Sequence, residues 1–171
     1  SFTMEGGTIS GCKVSSAYAV DGGGVCVEVA HGSTGTANFI MQGGSITGCK
    51  AEINHNAGTP ESQGGGVYME NSTFNMSGSS SITGCTAESS DSDISGSPSF
   101  YGGGVYAAGS TATFTMKGGT KIDQDNDVFL RADSSGSAKI TVDSSLSPAG
   151  GTAARITPEQ YTAGTQVLNG S

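Results

Sequence analysis

The feature that most constrains this chain is a repeat. The segment Phe2-Thr3-Met4-Glu5-Gly6-Gly7-Thr8-Ile9-Ser10-Gly11-Cys12 recurs from Phe39 to Cys49 and, with one extra Ser, from Phe74 to Cys85. A fourth copy opens at Phe114 and departs after Ile122, so the starts lie 37, 35 and 40 residues apart. A second motif interleaves with the first: Gly22-Gly23-Gly24-Val25-Cys26-Val27, Gly64-Gly65-Gly66-Val67-Tyr68-Met69 and Gly102-Gly103-Gly104-Val105-Tyr106-Ala107. Matches over eleven residues are specific. They mean that each unit buries its apolar face by stacking on its neighbours.

Within each motif apolar and polar residues alternate, the period of a half-buried strand. The strands are short and bounded by glycines suited to tight corners. The expectation is therefore an all-β fold, a single-stranded parallel β-helix or β-solenoid. The two strand-bend motifs of each 35–40-residue repeat suggest about two coils per repeat. Seven to nine coils at about 4.8 Å would give a rod of roughly 35–45 Å. Residues 1–122 read as repeated coils, with starts at Phe2, Phe39, Phe74 and Phe114, and residues 123–171 as divergent terminal coils of the same solenoid. Thr157-Pro158-Glu159-Gln160 looks like the first turn of a helix.

Composition enters here as a test. The 171 residues include 29 Gly, 26 Ser and 18 Thr, while the hydrophobic set supplies 34%. Such a chain cannot be a helical bundle. It escapes disorder only because its few large residues recur at fixed places. The net charge of -8 includes seven bases in no basic run, which excludes a nucleic-acid surface. The longest apolar runs are far too short to span a bilayer. The chain opens in the middle of a pattern and reads as a piece of something longer.

Loop lengths vary while the motifs hold. Between each Cys and the next Gly triplet lie 9, 14 and 16 residues. Insertions at equivalent corners collect on one flank, where repeat proteins usually bind. The candidate binding residues are Glu61 in the first long loop, Asp91 and Asp93 in the second, and Tyr68 and Tyr106. Alternation points both tyrosines outward, as a strip for stacking on sugar or as a shielded flat surface.

The other constellations are weaker. Asp123, Asp125 and Asp127 imitate the start of a calcium loop, but Val128 and Ser134 stand where its Gly and Glu belong. An acidic corner is the plainer reading, and no cofactor is expected. Cys12, Cys49 and Cys85 share one repeat position and read as a column of small buried thiols. At two coils apart, about 9–10 Å, they are too distant for disulfides; a Cys26 disulfide with Cys12 or Cys49, one coil away, is the remaining alternative. His31 and His55 read as loop surface. The acids Glu5, Asp21, Glu28, Glu52, Glu70 and Glu88 look scattered, without the paired carboxylates that glycoside hydrolysis requires.

The FxMxGGxIxGC and GGGVYV motifs resemble the repeats of large bacterial surface proteins, especially adhesin-like proteins of spirochaetes. The chlamydial polymorphic outer-membrane proteins share a looser pattern. The ending, from Asn126-Asp127-Val128-Phe129-Leu130 to Gln166-Val167-Leu168-Asn169-Gly170, is similar to the tail of a spirochaete repeat block. The resemblance implies a right-handed winding and a secreted or cell-surface location. It implies a non-catalytic role in adhesion, ligand binding or scaffolding, toward a host or matrix glycan or protein or a neighbouring cell. Head-to-tail self-association into fibres is a variant, because coil ends are unpaired sheet edges. The reading from another class is a pectin-lyase-like polysaccharide-degrading enzyme, or a carbohydrate-binding remnant of one.

Overall fold

A computed structural model of the chain describes residues 1–30, 32–55, 59–91, 98–133 and 136–170. Among them every regular element is a strand. The first repeat supplies β1 (Phe2–Met4), β2 (Thr8–Ser10), β3 (Lys13–Ser16), β4 (Val20–Asp21) and β5 (Val25–Glu28). The second supplies β6 (Asn38–Met41), β7 (Ser45–Thr47), β8 (Lys50–Ile53), β9 (Glu61–Gln63) and β10 (Val67–Glu70). The third supplies β11 (Thr73–Met76), β12 (Ser81–Thr83), β13 (Thr86–Ser89), β14 (Ser99–Tyr101) and β15 (Val105–Ala108). The fourth keeps three: β16 (Thr113–Met116), β17 (Lys121–Ile122) and β18 (Asp127–Leu130). A small antiparallel pair, β19 (Ala132–Asp133) and β20 (Gly136–Ser137), leads to β21 (Lys139–Val142), β22 (Arg155–Pro158) and β23 (Leu168–Gly170).

Equivalent strands of successive repeats pair in parallel and in register. The orders are β1-β6-β11-β16-β21-β23, β2-β7-β12-β17, β3-β8-β13, β4-β9-β14 and β5-β10-β15-β18-β22. This arrangement of stacked parallel sheets is compatible with a β-solenoid. Phe2 lies opposite Phe39, and Phe39 opposite Phe74, so each repeat is one layer of the stack, not two coils. The Phe-x-Met and Gly-Gly-Gly-Val motifs belong to different sheets of the same layer, which is why the two strand-bend motifs suggest twice the true number of coils. The longest sheet has six strands, or about 24 Å at the usual spacing, shorter than the expected rod. The helical turn at Thr157 is absent as well: Arg155–Pro158 extends as β22 and pairs with β18.

Register converts the repeat into ladders of identical side chains. The rings of Phe2, Phe39, Phe74 and Phe114 stack at 5.4, 4.9 and 4.9 Å, within 8° of parallel. Met4, Met41, Met76 and Met116 run beside them, with Ile46, Ile82 and Ile122 opposite, in one continuous core. The Gly triplet answers to this packing. Gly64 takes a left-handed φ of 65°, and a Cβ on Gly66 would stand 2.5 Å from the Gly104 carbonyl oxygen and 2.8 Å from Ile82 Cγ2.

The strands β3/β4, β8/β9 and β13/β14 form a lateral arm with its own small core of Val20, Ala51 and Ile53. Its outer surface carries a diagonal charge ladder, Lys13 to Glu52 at 2.9 Å and Lys50 to Glu88 at 2.6 Å. The fourth repeat lacks the arm, and two side chains close the gap. Asn126, buried, accepts a hydrogen bond from the Cys85 amide at 3.0 Å and donates to the Cys85 carbonyl at 2.8 Å. Asp127 accepts from the Gly103 amide at 2.9 Å. Equivalent groups one layer earlier bond to backbone, Thr86 N to Cys49 O and Gly65 N to Gly102 O.

Candidate functional site

The outward face of the sheet β5-β10-β15-β18 carries the main concentration of functional side chains. In-register pairing forms two columns there. One is Cys26, Tyr68, Tyr106 and Phe129; the other is Glu28, Glu70 and Ala108. The acids read as scattered thus include a direct pair on neighbouring strands, Glu28 opposite Glu70, and a second one, Glu52 opposite Glu88. Their fixed offset was in the sequence: Val25-Cys26-Val27-Glu28 and Val67-Tyr68-Met69-Glu70 align on the Gly triplet.

Tyr68 and Tyr106 point away from the core, as alternation requires, but they are only 6% and 1% exposed. Their rings stack on each other at 5.3 Å, and Tyr106 stacks on Phe129 at 5.6 Å. Tyr101 folds over from β14 and packs on Phe129 at 4.5 Å. With ring faces spent on one another, the pair forms no open strip for sugar stacking; their hydroxyls do the polar work. Tyr68 Oη donates to Glu70 at 2.8 Å, and Arg131 Nη1 donates to Tyr106 Oη at 2.8 Å. Burial, reinforced by the Glu70 carboxylate, raises the Tyr68 pKa far above its ordinary value. Burial also pushes Tyr106 up to about 12, against the pull of Arg131.

Glu61 belongs to the same neighbourhood, with Oε2 3.9 Å from Arg131 Nη1. Asp21 lies nearby, its carboxyl held above the usual range by burial and by Glu28, Glu70 and Glu61. Burial, with Glu28 and Asp21, lifts the Cys26 thiol to about 11. Two clefts flank Glu70. One, of about 660 Å³, is bounded by Glu28, residues 29, 30 and 32–35, Glu70, Asn71 and Thr111. The other, of about 280 Å³, is bounded by Tyr68, Glu70, Tyr106, Arg131 and Asp133. Asn71 adopts a positive φ of 46°, the one non-Gly residue among the described residues to do so, and accepts from Thr111 Oγ1 at 2.9 Å. Backbone strain of this kind collects at binding sites.

The remaining candidates lie elsewhere. Asp91 follows β13 on the arm, in a different sheet from the tyrosines. Asp93 and His31 lie outside the described residues, and His55 is exposed. The three aspartates of the acidic corner are put to separate uses. Asp123 sits 3.5 Å from Lys121 Nζ and accepts from the Gln124 amide, Asp127 accepts from Gly103, and Asp125 is exposed. Among the described residues no three His, Cys, Asp or Glu side chains come together as a metal site, and no helix is long and apolar enough to cross a membrane. The four cysteines are free thiols, with Cys49 and Cys85 buried. Arg131, Glu28, Glu70, Asn71 and Thr111 were missed as site residues, because the stacking of distant repeats brings them together. The chain matches no family model, no curated protein and no solved structure.

Proposed function

We propose that this chain is a non-catalytic, right-handed β-solenoid segment of a secreted or cell-surface protein that binds a polar polymer, a glycan in the first instance, along the Glu28–Glu70–Arg131 flank. One observation carries the reading: two clefts meet at Glu70 and form a polar band along the stacking direction. The band crosses four repeats, about 14 Å at the strand spacing, enough for several linked sugar units. Carboxylates of Glu28 and Glu70 accept hydrogen bonds from hydroxyl groups, the Asn71 amide and Thr111 hydroxyl serve both senses, and Arg131 donates. A rigid ladder behind the band keeps these groups in place before binding, which lowers the ordering cost.

The test is a glycan and matrix-protein array probed with the 171-residue chain, followed by calorimetry on each hit. Glu70→Gln is expected to weaken binding about tenfold, the loss of one charged hydrogen bond. Swapping residues 29–35 for a short Gly-Ser turn should abolish it. Unchanged affinity in both variants would remove the flank from consideration.

A second reading follows from the Glu28–Glu70 pair. In-register neighbours stand about 4.8 Å apart along the backbone, close to the carboxylate separation of retaining glycosidases. New reducing ends released from a bound polysaccharide, and lost in Glu70→Gln, would replace binding by turnover.

A further inference from the structure

The cysteine column has a chemistry that the flank does not use. Because each repeat is one layer, Cys12, Cys49 and Cys85 occupy equivalent places in consecutive layers. The Lys50 amide donates to the Cys12 carbonyl at 2.8 Å and the Thr86 amide to the Cys49 carbonyl at 2.9 Å, so backbone ladders continue through both positions. Neighbouring members are thus about 4.8 Å apart, inside the Cα window of a disulfide. The thiols also lean along the column. Cys49 Sγ lies 3.8 Å from the Ile9 carbonyl oxygen of the layer below, and Cys85 Sγ 3.8 Å from that of Ile46. Cys12 is exposed at the end of the column, whereas Cys49 and Cys85 are buried. One thiol is open to a reagent, and its partner waits beneath it.

We propose that Cys12 and Cys49 are a disulfide-forming pair, closed by exchange with a low-molecular-weight disulfide such as oxidised glutathione. The Cys12 thiolate attacks one glutathione sulfur, the S–S bond breaks, and the first glutathione leaves as a thiolate. The Cys49 thiolate then attacks the Cys12 sulfur of the mixed disulfide and expels the second glutathione. Two protein thiols are oxidised, one small disulfide is reduced to two thiols, and the protons from the protein pass to the departing thiolates. The new bond joins the first two repeats across the ladder. Cys26, on the outward face of β5 opposite Tyr68, lies outside the column and keeps its thiol.

The experiment treats the folded 171-residue chain with oxidised glutathione, quenches with acid, and maps the peptides by mass spectrometry. The expected result is a chain lighter by two hydrogens, a Cys12–Cys49 cross-linked peptide, and a fall in titratable thiols from four to two. Cys12→Ser is expected to block the cross-link, and Cys26→Ser to leave it intact, both with unchanged circular dichroism. A mixed disulfide that persists on Cys12, a cross-link through Cys26, or a disulfide between two chains would each overturn the proposal.

Discussion

Phe74 is held between Phe39 and Phe114 at 4.9 Å on each side and is wholly buried. Phe2 occupies the same ladder but ends it, and is 52% exposed. Phe74→Ala should therefore cost about 3–5 kcal/mol, the usual loss for a buried aromatic ring. Phe2→Ala should cost about 1 kcal/mol or less, a contrast that urea denaturation of both variants measures. Asp21 gives a test by pH. Its carboxyl is raised above the ordinary 3.8 by burial, then by Glu28, Glu70 and Glu61, so the folded state favours the proton. Stability is lost as pH rises from 3.8 through the raised value. Asp21→Asn should accordingly melt higher than the parent at pH 7 and with little difference at pH 3, where both folded and unfolded carboxyls are protonated. A variant that melts lower at neutral pH would contradict the assigned cause.

At the scale of the element, the arm shows how a repeat is ended. Its outer columns place Lys13 over Lys50 and Glu52 over Glu88, like charges that would repel. Each Lys reaches diagonally to the Glu of the next layer instead, and its hydrogen bond lowers the Glu52 pKa. The third layer has Thr86 where the earlier layers have Lys, so the ladder closes without a spare cation. There the backbone of the next layer is missing, and Asn126 substitutes for it with one donor and one acceptor on Cys85. Asn126→Ala leaves both Cys85 groups without partners, at about 1–3 kcal/mol each. The expected signature is lower stability together with faster hydrogen exchange at the Cys85 amide. Unchanged exchange there would mean that the cap is incidental.

Across the whole molecule, each repeat touches only the next, so stability should be graded along the stack. Phe39, Met41, Val67, Phe74, Met76 and Val105, in the second and third repeats, are buried to 1% exposure or less. In the first repeat Phe2 is 52% exposed, and every residue of β23 is exposed. Native-state hydrogen exchange should thus find the slowest amides in β6, β10, β11 and β15 and the fastest in β1 and β23. Uniform protection would show that the stack opens as one unit. The same grading gives the proposed disulfide its place, since it would join exposed Cys12 of the first layer to buried Cys49 of the second.

The sequence by itself determined the all-β character and the parallel stacking of short equivalent strands, but it set equivalent residues two coils apart, and only the one-layer repeat brings Phe, Met, Ile and Cys into direct ladders. A fixed repeat with period-two alternation leaves no other way to bury so few large side chains. It did not determine how many strands make one layer, because that depends on how many bends bring the chain back over itself. The Gly triplet marks a corner without saying how many corners a layer has. Nor did the sequence decide which outward residues stay open. Tyr68 and Tyr106 face outward by alternation, yet the neighbouring rings and Tyr101 cover them. Only the tertiary structure set Glu28 beside Glu70 and brought Arg131 to Glu61 and Tyr106. Those contacts join residues many positions apart, and register between layers, a property of the assembled stack, is what creates them.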